Sequence, residues 1–349
     1  MNSKISISIP RIDLILNKSA ETVEITLDIK DIKTAAINLK RHIVHTPLLE
    51  SNLLNEKLGG RVLFKAECLQ KTGSFKIRGA SNKVLRLSGE QQAQGVVAYS
   101  SGNHAQGVAA AAQSLGISAT IVIPRDAPQL KIANTRAYGA NVVLYDRYNE
   151  SREAIAGEIA EREGRVIIPP YDDPEIIAGQ GTVGLEIIEQ LASKSTEIDA
   201  VLCPCGGGGL ISGLATAMTA FKPDLSIFAV EPEGFDDTAR SLQSGERCSN
   251  KPQAHSICDS IVTPTPGEIT FEINRQLLAG GLVVSDAAVA KAVIEAYTSL
   301  KLVVEPGAAV GLAAIMSGIF DLNGKTVVVV LSGGNIDIDT LVELHQRYQ

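Results

Sequence analysis

Four consecutive glycines, Gly206 to Gly209, follow Cys203-Pro204-Cys205 and precede Leu210, at a junction between an apolar run and a helical one. A chain without side chains curls tightly and exposes its N–H groups, and the first turn of a helix adds partial positive charge, so this segment is an anion seat. Phosphate is its natural ligand. A dinucleotide fingerprint would need a sixth glycine position, where Ile211 or Ser212 stands instead. Gly324-Lys325-Thr326 imitates the end of a nucleotide loop, yet its partner glycine is misplaced and a strand follows it rather than precedes it.

A second segment, Gln70-Lys71-Thr72-Gly73-Ser74-Phe75-Lys76-Ile77-Arg78-Gly79-Ala80, reads as a polar turn capped by Ser74 and leading into a helix. Lys76 then lies in the first turn, where the helix dipole disfavours an ammonium and lowers its pKa. That suits a nucleophilic amine. Ser100-Ser101-Gly102-Asn103-His104 opens another helix with hydroxyls, an amide and N–H groups able to clasp a carboxylate. Ser332-Gly333-Gly334-Asn335 places one more hydroxyl beside glycines after a Val-rich run. A phosphate seat, an amine and a carboxylate clasp together describe a site for pyridoxal phosphate joined to an amino acid.

Such loops need a scaffold. Short β-branched runs at 62–65, 95–99, 119–123, 141–144, 166–168, 200–203, 227–230 and 326–331 are the expected strands. Helical stretches are expected over 28–42, 103–115, 152–162 and 175–191, and this alternation argues for an α/β fold with parallel sheets. Ligands in open sheets of that kind sit beyond the carboxyl ends of the strands. Residues 95–172 are expected to form a small domain, and 1–94 with 173–349 a large cofactor-binding one. The first 25 residues carry no clear period and read as an adaptable extension.

The chain has 349 residues, 45% of them apolar and 20% charged, with a net charge of −7. These values describe ordinary folded protein, with no preference for nucleic acid or anionic membrane. No apolar run approaches a membrane span. The five cysteines form neither a Cys-x-x-Cys pair nor an even framework, which suits reduced thiols and a cytoplasmic location.

From about Asp28 onward the chain resembles the fold-type II pyridoxal-phosphate family of serine and threonine dehydratases and serine racemases, enzymes with a tryptophan synthase β-like fold of two open parallel-sheet domains with helices on both faces. The match is carried by Ser74 to Ala80, Ser100 to His104, Ala178-Gly179-Gln180-Gly181-Thr182, the four glycines, Glu305-Pro306 and Ser332 to Asn335.

The resemblance implies that Lys76 holds the cofactor as a Schiff base and that Phe75 lies against its ring. It gives Asn103 the ring hydroxyl, Gly206, Gly207, Gly208, Gly209 and Leu210 the phosphate, and Ser332 the pyridine nitrogen. Ser100, Ser101, Gly102, Asn103 and His104, helped by Arg152, take the substrate carboxylate. Ser101 also matches the residue that, in racemases, returns a proton to the face of the α-carbon opposite the lysine. Glu231, the Phe235 carbonyl and Asp237 match a Mg²⁺ or Ca²⁺ site, and hard oxygen ligands suit such a cation.

The activity implied is an ammonia-lyase (dehydratase) reaction that converts a β-hydroxy amino acid, L-threonine or L-serine, to a 2-oxo acid and ammonia, in a homodimer. Serine racemase, a threo-3-hydroxyaspartate dehydratase and a dehydratase of hydroxyectoine breakdown are the alternatives within the family. A non-catalytic ligand sensor on the same scaffold is the alternative outside it. Residues 260–270 differ from the expected serine racemase pattern in a region expected to line the site, and no regulatory domain is expected after the Ser332 segment.

Overall fold

A computed structural model describes residues 12–18, 21–100, 102–127 and 129–348. Its strands are β1 (Ile12–Lys18), β2 (Glu21–Leu27), β3 (Leu48–Glu50), β4 (Arg61–Ala66), β5 (Val96–Tyr99) and β6 (Ala119–Pro124). β7 (Asn141–Tyr145), β8 (Val166–Ile167), β9 (Ala200–Pro204), β10 (Ser226–Pro232), β11 (Gly280–Val284) and β12 (Thr326–Leu331) complete the set.

They form three sheets. β5 to β8 pair only with one another, in the parallel order β7-β6-β5-β8. A six-stranded sheet has the order β11-β10-β9-β12-β4-β3, parallel except for the edge strand β3, which runs antiparallel to β4. That sheet is therefore mixed rather than wholly parallel. β1 and β2 form an antiparallel pair from Ile12↔Leu27 to Lys18↔Glu21, so part of the segment read as an adaptable extension is a two-stranded ribbon. β3 and the Gly-led β11 also escape sequence reading, because three residues and a half-buried Gly-Gly start give little periodicity.

The six-stranded sheet is hydrophobic on both faces. β12 is Thr-Val-Val-Val-Val-Leu, with every residue after Thr326 buried, and the Ala-rich helix Pro306–Met316 covers one face with all of Pro306 to Ile315 buried. Small residues bring helices close elsewhere. A Cβ on Gly179 would lie 2.6 Å from the Gly79 Cα, and one on Gly181 would lie 2.8 Å from the Gly213 carbonyl oxygen. The Ala178 to Thr182 segment lies within the helix Pro174–Ser193, and its glycines let that helix cross the helices Lys76–Leu85 and Gly209–Thr219 at backbone distance.

A charged cluster lies sealed at the same crossing. Arg78 donates through Nε and Nη2 to Glu67 and through Nη1 and Nη2 to Glu186, at 2.6–2.9 Å. Lys65, wholly buried on β4, donates to Glu186 Oε2 at 2.6 Å and to the Thr46 carbonyl at 2.7 Å. Two cations face two carboxylates, so the cluster is neutral. Arg78 is two residues from Lys76, and the network locks the first turns of that helix against β4 and the helix Pro174–Ser193.

Candidate active site

Lys76 begins its helix, but Ser74 does not cap it. Phe75 holds the N-cap position without a side-chain bond, and the Ser74 hydroxyl is buried with no hydrogen-bond partner among the described residues. Ser74 instead bridges Gly333, and the Phe75 N–H donates to the Ser332 carbonyl at 3.1 Å. The lysine loop and the Ser332 loop are thus stitched together by backbone. Lys76 Nζ lies 5.3 Å from the centre of the Phe75 ring and donates to the Pro170 carbonyl at 2.7 Å. Its pKa is lowered to about 8 mainly by burial, opposed by Glu305. The lowering expected from the helix dipole is present in direction and comes from desolvation.

Lys76 opens into a pocket lined by loops that follow Tyr99, Pro204 and Leu331, at the carboxyl ends of β5, β9 and β12. Phe75, Ser100, Gly102, Asn103, His104 and Arg152 line it, as do Gly206 to Gly209, Leu210 and Ser332. Every residue expected at the cofactor or the substrate therefore converges there except Ser101, which lies outside the described residues.

The glycines are required by their neighbours. Gly208 has φ +93°, and a Cβ on Gly207 would fall 2.3 Å from the Tyr171 ring. Gly209 starts the helix Gly209–Thr219 with no side-chain cap, so a helix N-terminus with uncapped N–H groups forms part of the pocket wall. The outer side of the loop is fastened by Thr270, whose hydroxyl donates to the Gly207 carbonyl at 2.7 Å. This cradle, beside a depressed amine, fits a phosphate-bearing aldehyde.

His104 is buried, and its Nε2 lies 2.8 Å from the Ile168 carbonyl. A carbonyl only accepts, so Nε2 carries the proton. Burial and the nearby Lys76 push its pKa down to about 3, so His104 serves the pocket as a neutral ring and not as a cation for a carboxylate. The Ser100 hydroxyl accepts from the Gly102 N–H at 3.2 Å. Arg152 packs on Tyr99, 5.6 Å from its ring centre, and donates to Glu153.

Tyr99, Lys131, Pro170, Tyr171, Asp259 and, as a pocket residue in its own right, Glu305 escaped sequence reading. Lys131 and Asp259, both in the pocket lining, pair at 2.5 Å and join the helix Gln129–Ala137 to the loop after Cys258. Only proximity in space reveals them. Ser260 to Thr263 also line the pocket, in the segment expected to do so.

Glu231 and Asp237 lie apart from the pocket lining. Both Glu231 oxygens accept backbone N–H groups, from Thr238 at 3.0 Å and Ala239 at 2.8 Å. Burial and the neighbouring Asp237 push the Glu231 pKa up to about 8, and burial raises Asp237 to about 6. Asp237 Oδ2 is buried with no hydrogen-bond partner among the described residues. Among those residues no group of three or more His, Cys, Asp and Glu side chains is placed to hold a metal. All five cysteines are free, and no described helix is long and apolar enough to cross a membrane.

A family model described as pyridoxal-phosphate dependent enzyme matches residues 39–333. L-threo-3-hydroxyaspartate ammonia-lyase of Saccharomyces cerevisiae is 43% identical over 88% of this chain and 93% of that protein. L-threonine ammonia-lyase of Thermotoga maritima is 44% identical over 90% of this chain and 77% of that protein. The solved structure of maize serine racemase superimposes with a TM-score of 0.86 at 40% identity, covering 92% of this chain and 97% of that one. With the glycine cradle, the buried amine and Phe75 gathered in one pocket, the chain belongs to the pyridoxal-phosphate dependent enzymes, among the fold-type II ammonia-lyases and racemases.

Proposed function

We propose that this chain is an ammonia-lyase that removes water and ammonia from a small β-hydroxy amino acid, L-threonine or L-serine, to leave a 2-oxo acid. The observation that carries this reading is the Lys76 amine, depressed to about 8, beside a helix-starting glycine loop. Phe75, Lys76, Asn103, Gly206 to Gly209, Leu210 and Ser332 would hold pyridoxal phosphate, and the bound cofactor supplies the electron withdrawal that loosens the bonds of the substrate's α-carbon.

The chain's own groups do the rest. Neutral Lys76 takes the α-proton, while Ser100, Ser101, Gly102, the backbone N–H groups of Asn103 and His104, and Arg152 hold the substrate carboxylate. A hydroxyl at Ser332 is a neutral partner for the ring nitrogen, which draws charge from the α-carbon less strongly than an acidic partner would and favours prompt departure of the β-hydroxyl. Ser101 is the residue for returning a proton on the opposite face. Threo-3-hydroxyaspartate stands as the second substrate, favoured by Lys131, whose ammonium reaches the pocket and pairs there with a carboxylate, Asp259.

The enzyme is further proposed to be a cytoplasmic homodimer, with 95–172 as its small domain and 1–94 with 173–349 as its large one. Four of the five free thiols are buried, which accords with a reducing compartment. Mg²⁺ or Ca²⁺ is proposed at Glu231, Asp237 and the Phe235 carbonyl, because a cation there would neutralise two buried carboxylates and occupy the unpartnered Asp237 oxygen.

The test is a panel of L-threonine, L-serine and threo-3-hydroxyaspartate scored for 2-oxo acid release and for α-epimer. Release that vanishes in Lys76→Ala supports the reading, with a loss on the order of 10²–10⁴ or more. Unchanged release in that variant, or racemisation without release in the native protein, overturns it.

A further inference from the structure

Asn103 is gripped at both ends of its amide. Asn335 Nδ2 donates to Asn103 Oδ1 at 2.7 Å, and Asn103 Nδ2 donates to Glu305 Oε1 at 2.6 Å. The orientation of this chain of bonds is settled at its far end. Asn335 Nδ2 also donates to the Thr72 carbonyl at 2.9 Å, and a backbone carbonyl can only accept. The nitrogen of Asn335 is therefore fixed, so Asn103 must turn its oxygen to Asn335 and its nitrogen to Glu305. With the oxygen turned to Asn335 and one N–H used, Asn103 has a single donor left, its second N–H.

Glu305 is costly to place where it is. It is 1% exposed, and its Oε2 is buried with no hydrogen-bond partner among the described residues. A buried carboxyl with an unpartnered oxygen opposes folding. The groups that act on its charge are Asp259, which with burial raises its pKa to about 8, and Lys131, Asn103 and Lys76, which oppose that rise. The backbone makes room for it: a Cβ on Gly333 would fall 2.2 Å from Glu305 Oε1 and 3.2 Å from Asn103 Nδ2. Costs of this kind persist where a site needs them.

We infer that Glu305 is a positioning residue for the cofactor: by holding one N–H of Asn103 it turns the amide so that a donor, and not the carbonyl, is offered to an oxygen on the pyridoxal ring. The inference rests on the reading of this pocket as the cofactor seat. Either protonation state of Glu305 leaves Oε1 able to accept, so the orientation is kept on both sides of its titration. Asn335 secures the other end, and Thr72, four residues before Lys76, links the arrangement to the lysine loop.

The experiment compares Glu305→Leu and Glu305→Gln with the native holoenzyme. Leucine cannot accept a hydrogen bond, and glutamine keeps a carbonyl acceptor. Pyridoxal phosphate affinity, measured by dialysis, and the absorption band of the bound cofactor are read without substrate. Glu305→Leu is expected to weaken binding on the order of tenfold and to shift the band, and Glu305→Gln to stay within about threefold of native affinity. Native affinity and band in Glu305→Leu, or equal damage in both variants, overturns the inference.

Should Glu305→Leu fail to fold, Asn335→Leu releases the opposite end of Asn103 and must weaken binding in a folded chain. Native binding in that variant overturns the inference too. A native protein that takes up no pyridoxal phosphate refutes the reading of the pocket itself, a failure visible before any variant is made.

Discussion

Lys76 Nζ donates to the Pro170 carbonyl oxygen across 2.7 Å, which ties the first residue of one helix to the turn that leads into the helix Pro174–Ser193. A carbonyl accepts from an ammonium or from an amine, so this bond aims the nitrogen without fixing its charge. Burial instead brings the neutral form within reach near neutral pH, by lowering the pKa to about 8.

Uptake of pyridoxal phosphate by cofactor-free protein therefore has a defined pH dependence. The neutral amine is the nucleophile, and its fraction rises with pH until the pKa is passed. The association rate should climb about tenfold per pH unit well below 8 and level off above it, as for any single titrating amine. Stopped-flow mixing from pH 6 to 10 checks this. A plateau reached only near 10.4, the value of an ordinary lysine, would show that Lys76 is not desolvated as described.

The contact between Gly207 and Tyr171 gives a second outcome. A Cβ at Gly207 would meet the Tyr171 ring at 2.3–2.4 Å, so either the loop or the ring must move. Overpacking of this size costs about 1–3 kcal/mol. Gly207→Ala should weaken cofactor binding by about tenfold or more, and adding Tyr171→Leu should return part of the loss. Equilibrium dialysis of the single and double variants decides it. Additive losses would mean that the two positions do not communicate.

These residues differ in how far the sequence discloses them. Lys76 and the four glycines stand out because a lysine in a first helical turn and a glycine run at a strand end each carry a physical signature within a few residues. Eight strands were legible from β-branched runs, while β3 is too short and β11 too glycine-rich to announce themselves. Ser74 misled, since a serine just before a helical pattern looks like a cap and here its backbone pairs with Gly333. Tyr171, Lys131 and Asp259 were invisible, because what makes them pocket residues is contact between segments far apart in the chain. Arg78 lay within a recognised motif, yet its partners Glu67 and Glu186 are set by the helix crossing at Gly79 and Gly179.

That buried cluster yields a stability test. Arg78 reaches both carboxylates in forked geometry, and its removal would leave two buried acids with only Lys65 between them. Breaking a buried pair by deleting one partner costs about 3–5 kcal/mol. Arg78→Met should lower the urea midpoint accordingly, and Arg78→Lys should not restore it, since an ammonium cannot bind two carboxylates through a planar fork. A lysine variant as stable as the native chain would show that charge alone matters at this site.

The carboxylates Glu231 and Asp237 give the last test, because their burial without a cation is an electrostatic cost that a bound ion would remove. A ligand that binds only the folded chain stabilises it by about 2.7 kcal/mol at one hundred times its dissociation constant. Adding MgCl₂ or CaCl₂ to chelator-treated protein should therefore raise the midpoint of thermal unfolding and saturate with concentration. Glu231→Gln and Asp237→Asn each remove one carboxylate ligand. Asp237→Asn should unfold at a higher temperature than the native chain in chelator, since it removes a buried charge and offers a donor at the unpartnered oxygen. Glu231→Gln turns an N–H against one of two backbone N–H groups and should not gain stability. Both should lose most of the response to added cation. A native chain indifferent to both salts, or variants that still respond fully, would leave these residues as an uncompensated acid pair at the start of the helix Asp237–Ser244.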